Sequence, residues 1–201
     1  MNKLEPTYLR YVYDSLQKGV LSGENASGLP YGFIGIYEQE FQSSTPIYLR
    51  QQRLGQLALW ALFKGAVSTN MASSILGISE ESTKELIATY SSWFNSPDSG
   101  KYQLYHERLR VYLLQKLKED ELQLLNERLI TYLAQAIKAK KEDESEHYAL
   151  QNMAFHLALE SQLGNQYERL HAFVNREDVW QRQIQLSKDY AWSQAALQQG
   201  I

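Results

Sequence analysis

Hydrophobic residues recur at helical spacing along most of the chain. From Pro6 to about Val20, Leu9, Val12, Tyr13 and Leu16 fall on one stripe. Pro6 suits the first turn of such a helix, where its missing amide is not needed. A Gly- and Ser-rich loop, "GVLSGENASGLP", precedes a second periodic stretch from about Tyr31 to Gln42, with Phe33, Ile36, Tyr37 and Phe41 on its apolar side. "YLRQQRLGQLALWALFKG" predicts a helix that stops at Gly65, and "TNMASSIL" a short one that stops at Gly77. Ser79 is the expected N-cap of a third, with Glu80 and Glu81 in its positive first turn. The pattern then shortens. "SSWF" and "KYQLY" flank "NSPDSG", and two short aromatic runs around Pro-Asp-Ser-Gly predict a β-hairpin. Beyond His106 the helical period returns, first with Leu109, Tyr112, Leu113 and Leu117, then with Leu122, Leu125, Leu129, Tyr132 and Leu133. All four prolines lie before Asp98, so nothing of that kind interrupts the second half. The run "KAKKEDESE" reads as a solvated connection, and the segments after it as paired antiparallel helices without a fixed repeat.

These elements predict a mainly α protein in three parts. Residues 1–44 form a helical domain, residues 45–117 a winged helix of three helices and a short β-hairpin, and residues 118–201 an antiparallel helical arm. Hydrophobic residues are 44% of the 201, enough for a core of that size. The net charge of -3 argues against a general affinity for nucleic acid, which needs a basic surface to displace counterions. The chain has no cysteine, which excludes disulfides, thiolate zinc sites and a cysteine nucleophile. "MNKLEPTYLRYVYDSL" lacks the apolar core of a signal peptide, and no apolar run approaches the roughly 20 residues that span a bilayer. The expected location is the cytoplasm, without a membrane partner.

Catalytic patterns in the sequence are thin. A phosphate-cradling loop needs Gly-x-x-x-x-Gly-Lys-[Ser/Thr]; Gly100-Lys101 is the one Gly-Lys pair, followed by Tyr102. Gly28, Gly32 and Gly35 have no lysine behind them, so no nucleotide-hydrolysing engine is legible and the chain reads as a non-enzyme. Glu144-x-x-His147 and Glu168-x-x-His171 have the spacing that puts a carboxylate and an imidazole on one helical face, but two further inward glutamates would be needed for a di-iron site. No metal site is expected. His147, His156 and His171 have no serine in a sharp-turn context, and His156 within "MAFHLAL" reads as a packing histidine with one hydrogen bond. The presumptive DNA-reading helix, "SEESTKELIATYSSW", sets Glu80, Glu81 and Glu85 against Lys84 alone, and the hairpin tip carries Asp98. Those charges repel phosphates. Protein contact is the expected use, and a winged-helix transcriptional regulator with a helical dimerisation domain is the alternative.

His106 sits between the last strand and the helix after it. From the residues alone it reads as a helix N-terminal residue packed beside Tyr105. Four segments in order, "LEPTYLRYVYDSL", "LPYGFIGIYEQEF", "YQLYHERLRVYLL" and "YALQNMAFHLALES", also resemble the regulatory half of STAND-class signalling ATPases of the NACHT type. Pro6, Tyr8 and Leu9 match the first helix after the family's nucleotide-binding core, with Glu5 and Thr7 in place of its Asn and Leu. Leu29, Pro30, Gly32, Phe33 and Tyr37 match its Leu-Pro-x-Gly segment. Tyr102, Leu104, Tyr105, His106, Leu109, Tyr112 and Leu113 match its winged-helix signature, and "YALQNMAFHLALES" is similar to the helix that follows. The resemblance implies a non-catalytic module that helps hold an ADP-bound off state. It implies that His106 touches the β-phosphate and that Pro6 packs near the base and ribose. ADP or ATP would be held by a nucleotide-binding core, in cis or in trans. Self-association on activation and a protein ligand or effector would complete a defence or stress signal, with no nucleic acid involved.

Overall fold

A computed structural model describes Tyr13, residues 32–164 and residues 167–199. Within these, the protein is mainly helical with a small three-stranded antiparallel sheet. In chain order the elements are α1 (Gly32–Ser44), α2 (Arg50–Leu62), β1 (Val67–Ser68), α3 (Thr69–Leu76), α4 (Glu80–Thr89), β2 (Phe94–Asn95) and β3 (Lys101–Leu104). There follow α5 (Glu107–Lys116), α6 (Glu119–Ala139), α7 (Glu144–Gly164), α8 (Glu168–Val174), α9 (Glu177–Ser187) and α10 (Ala191–Gln199). The Pro6 helix lies outside the described residues; Tyr13, placed on its buried stripe by periodicity, is helical and 62% exposed.

Polar side chains set the helix limits. Ser68 Oγ accepts from the Met71 amide (3.1 Å) and opens α3, which ends at Gly77 in the left-handed conformation (φ 68). Ser79 Oγ accepts from the Ser82 amide (3.1 Å) and opens α4, as its position in the sequence implies. The Glu121 carboxylate reaches back to the Lys118 amide (3.0 Å) at the start of α6. Asp143 Oδ1 accepts from the Glu146 amide (3.0 Å) at the start of α7. At the hairpin tip, Gly100 takes φ 77 and the Lys101 amide donates to the Asp98 carbonyl (3.1 Å).

The sheet differs from the expected hairpin in two ways. A third strand, β1, pairs with β3 (Val67 opposite Tyr102, Ser68 opposite Lys101), giving the order β1-β3-β2. Two residues are too few to show an alternating pattern. Ser91–Trp93, read as strand, is a single 3-10 turn, because Trp93 turns inward and is fully buried while Phe94 and Asn95 alone pair with Leu104 and Gln103.

One buried apolar cluster runs from Phe41 to Ala196. Its centre is α2, where Leu57, Leu59 and Leu62 are fully buried, backed by Leu86, Leu109 and Leu113. At about 1.5–3 kcal/mol per buried side chain of this kind, these positions supply the main driving force for the fold. Of the stripes read from sequence for α5 and α6, Leu109, Tyr112, Leu113, Leu125, Leu129 and Leu133 are buried, while Leu117, Leu122 and Tyr132 are half-buried against the core. The charged connection is solvated over residues 138–143, as read, and departs from that reading at its end. Glu146, inside that run, is fully buried and accepts from Arg182 Nε (2.7 Å) and Nη2 (3.1 Å) on α9 and from the Glu142 amide (2.7 Å). A partner 36 residues away turns a residue of apparently solvated sequence into a buried tie between α7 and α9.

Candidate functional site

His106 is the junction between β3 and α5, with extended backbone (φ -140, ψ 136). Its carbonyl accepts from the amides of Leu109 (3.1 Å) and Arg110 (3.3 Å), the first bonds of the helix. Its ring supplies the cap: Nδ1 accepts from the Arg108 amide at 3.1 Å. An imidazole that accepts at Nδ1 carries its neutral-form proton on Nε2, so the tautomer is fixed with a donor at the far side of the ring. The residue is half-buried and Tyr105 before it is 60% exposed.

The joint is held from both sides. On one, Arg110 Nε donates to the Ala61 carbonyl (2.5 Å) at the end of α2. On the other, α1 packs Tyr37 against Tyr112 (ring centroids 5.7 Å) and Trp93 (6.0 Å), with Phe41 stacked on Tyr90 (6.2 Å). Two α1 carboxylates complete the attachment. Glu38 accepts from the Tyr112 hydroxyl (3.0 Å) and pairs with Lys116; Glu40 accepts from Trp93 Nε1 (2.8 Å) and from the Ser92 hydroxyl. The bond and ion pair with Lys116 hold the Glu38 carboxyl below its ordinary range. Burial raises the Tyr37 phenol, an effect that the Arg108 charge partly offsets. Pro6, the other expected nucleotide contact, lies outside the described residues.

The remaining sequence candidates disperse. Glu144 accepts from the Ser68 amide (3.0 Å) and lies 3.7 Å from Lys101 Nζ, while His147 meets Trp192 edge-on (6.0 Å). His171 is exposed on α8, and its carbonyl accepts from the Asn175 amide group (2.8 Å). Among the described residues no three His, Asp or Glu side chains gather as a metal site would require. His156 is wholly buried; its Nε2 bonds the Tyr148 hydroxyl (3.1 Å), which also accepts from the Lys64 amide (3.0 Å). Its Nδ1 has no partner among the described residues. Burial, with Arg110 and Lys64 nearby, pushes the ring down to about 3, so it is neutral at working pH.

On α4, Lys84 is tied to Glu80 (2.9 Å), which also accepts from Thr69 Oγ1 (2.8 Å), and Glu81 and Glu85 are exposed. The outer face of this helix is therefore net negative. Sequence reasoning missed Glu38 and Glu40, since their partners are 52 to 78 positions away and no local pattern marks them. Among the described residues no helix is long and apolar enough to cross a membrane.

Comparison with protein-family models, with curated proteins and with solved structures gave no significant match for the chain.

Proposed function

We propose that this chain is a non-catalytic regulatory module of a nucleotide-switched signalling ATPase of the STAND class, NACHT type. Residues 45–117 act as a winged helix: the order helix–strand–helix–helix–strand–strand with β3 central supports that reading. α1 is the last helix of the domain before it, and α6 to α10 begin a helical arm towards a sensor. The observation that carries the proposal is the place of His106 at the joint of β3 and α5, with its Nδ1 accepting from the Arg108 amide and the neutral-form proton therefore on Nε2. That N–H suits a phosphate oxygen supplied by a separate nucleotide-binding core. A charge-assisted bond of this kind contributes about 1–3 kcal/mol, enough to bias a closed state by roughly 5- to 150-fold. Pro6 takes the base and ribose side. Release of the contact on exchange of ADP for ATP frees the module to self-associate and engage an effector in defence or stress signalling in the cytoplasm.

The test is to express the complete reading frame, with any co-purifying ATPase, and to quantify nucleotide released on denaturation. About one ADP per core, held by a Gly-x-x-x-x-Gly-Lys-[Ser/Thr] loop, is the expected result. A protein with no such core in the same polypeptide or in a stable partner contradicts the proposal.

A further inference from the structure

We infer that the chain pairs with a second copy of itself through the groove between α2 and α6. The groove measures about 210 Å³, and its walls include Gln52, Gly55, Leu117 and Leu124. Gly55 lies in the interior of α2, where glycine weakens a helix relative to alanine. Among the described residues nothing lies within 4 Å of the place where its Cβ would stand, so none of their contacts requires a glycine there. It keeps the floor of the groove low for something arriving from outside. Leu124 stands 58% exposed beside the buried stripe of α6, and Tyr48, one turn ahead of Gln51 and Gln52, is 83% exposed. Leu117, Leu124 and Leu125 together give the groove an apolar wall beside that low floor, a seat into which a second helix can pack.

Charge order selects the occupant. Glu121 and Arg128 also line the groove, one on each side of Leu124 and Leu125 on the same face of α6. A twofold axis passing between those leucines sets α6 antiparallel to its copy. Glu121 then faces the Arg128 of the second molecule, and Arg128 its Glu121, so the pairing occurs twice. Glu121 is already aimed by Gln51 Nε2 (2.6 Å) and by the Lys118 amide (3.0 Å). Arg128 is exposed and has no ion pair among the described residues. An unrelated helix would have to reproduce this charge order, whereas a second copy supplies it by symmetry. Such an isologous pair closes at two molecules and needs no nucleotide.

The experiment is sedimentation velocity on the 201-residue chain across the micromolar range. A concentration-dependent monomer–dimer equilibrium without larger species is expected. Leu124→Glu weakens the dimer at least about tenfold. Arg128→Glu and Glu121→Arg each remain monomeric alone, because each sets like charges opposite one another, and an equimolar mixture of the two forms a heterodimer. Circular dichroism confirms that each variant is folded. A wild-type chain that stays monomeric throughout, a dimer indifferent to Leu124→Glu, or two folded charge variants that fail to combine would each overturn the inference.

Discussion

Lowering the pH should destabilise the fold through His156, and the size of the effect follows from its surroundings. The ring is wholly buried, bonds only the Tyr148 hydroxyl among the described residues, and has Lys64 and Arg110 as charged neighbours, both positive. Nothing there offsets the desolvation of an imidazolium, so the folded state holds the ring neutral down to about pH 3. Unfolded, the same ring takes up its proton near 6.5. Between these values the unfolded state binds more protons, so stability is complete above about 6.5 and falls by about 1.4 kcal/mol for each unit of pH below it. From pH 7.5 to 4.5 the loss due to this residue is about 2.5 kcal/mol. The control is Tyr148→Phe/His156→Leu, which replaces both members of the pair by apolar groups; the Lys64 amide loses its acceptor, a cost that does not vary with pH and so drops out of the slope. Urea unfolding of both proteins across that range isolates the histidine, because the carboxylates common to both cancel in the difference. A wild-type curve that steepens on the acid side while the double variant lags by about 2.5 kcal/mol is the expected outcome. Curves parallel to within about 0.5 kcal/mol would show that the ring is solvated or charged in the folded state, and the reasoning fails.

Three further outcomes are expected. Glu146→Ala strips Arg182 of its buried partner and should cost on the order of 3 kcal/mol, read as a fall in the urea midpoint; an unchanged midpoint would mean the pair is solvated. Gly100→Ala forces a Cβ into φ 77 at the hairpin tip and should cost about 1 kcal/mol, checked by thermal melting. Titration with random duplex DNA at low salt should give no steep salt-dependent binding, given the acidic face of α4; a slope equivalent to several phosphate contacts would favour the transcriptional regulator instead.

The sequence carried the local features well. Ser68, Gly77 and Ser79 punctuate α3 and α4 with side chains and backbone that act within four residues, so their effect is visible in a short window. The same holds for the Pro97–Gly100 turn and for the stripes of α5 and α6. What escaped is whatever depends on a distant partner. β1 exists because β3 lies beside it, Glu146 is buried because Arg182 reaches it, and α1 is attached through Glu38 and Glu40 to residues of α5 and of the turn before β2. His106 shows both cases. Its place at a strand–helix joint was legible, whereas the use of its Nδ1 as the helix cap was not, since a histidine side chain is an uncommon N-cap.

The proposed phosphate contact of His106 is tested most directly by measuring how ADP and AMP bind to the chain together with the nucleotide-binding core proposed for it, with and without His106→Ala. AMP has no β-phosphate, so it should bind both forms alike, while ADP should weaken by roughly 5- to 150-fold in the variant, the equivalent of the 1–3 kcal/mol contact. Equal loss for both nucleotides, or no loss for either, would contradict it.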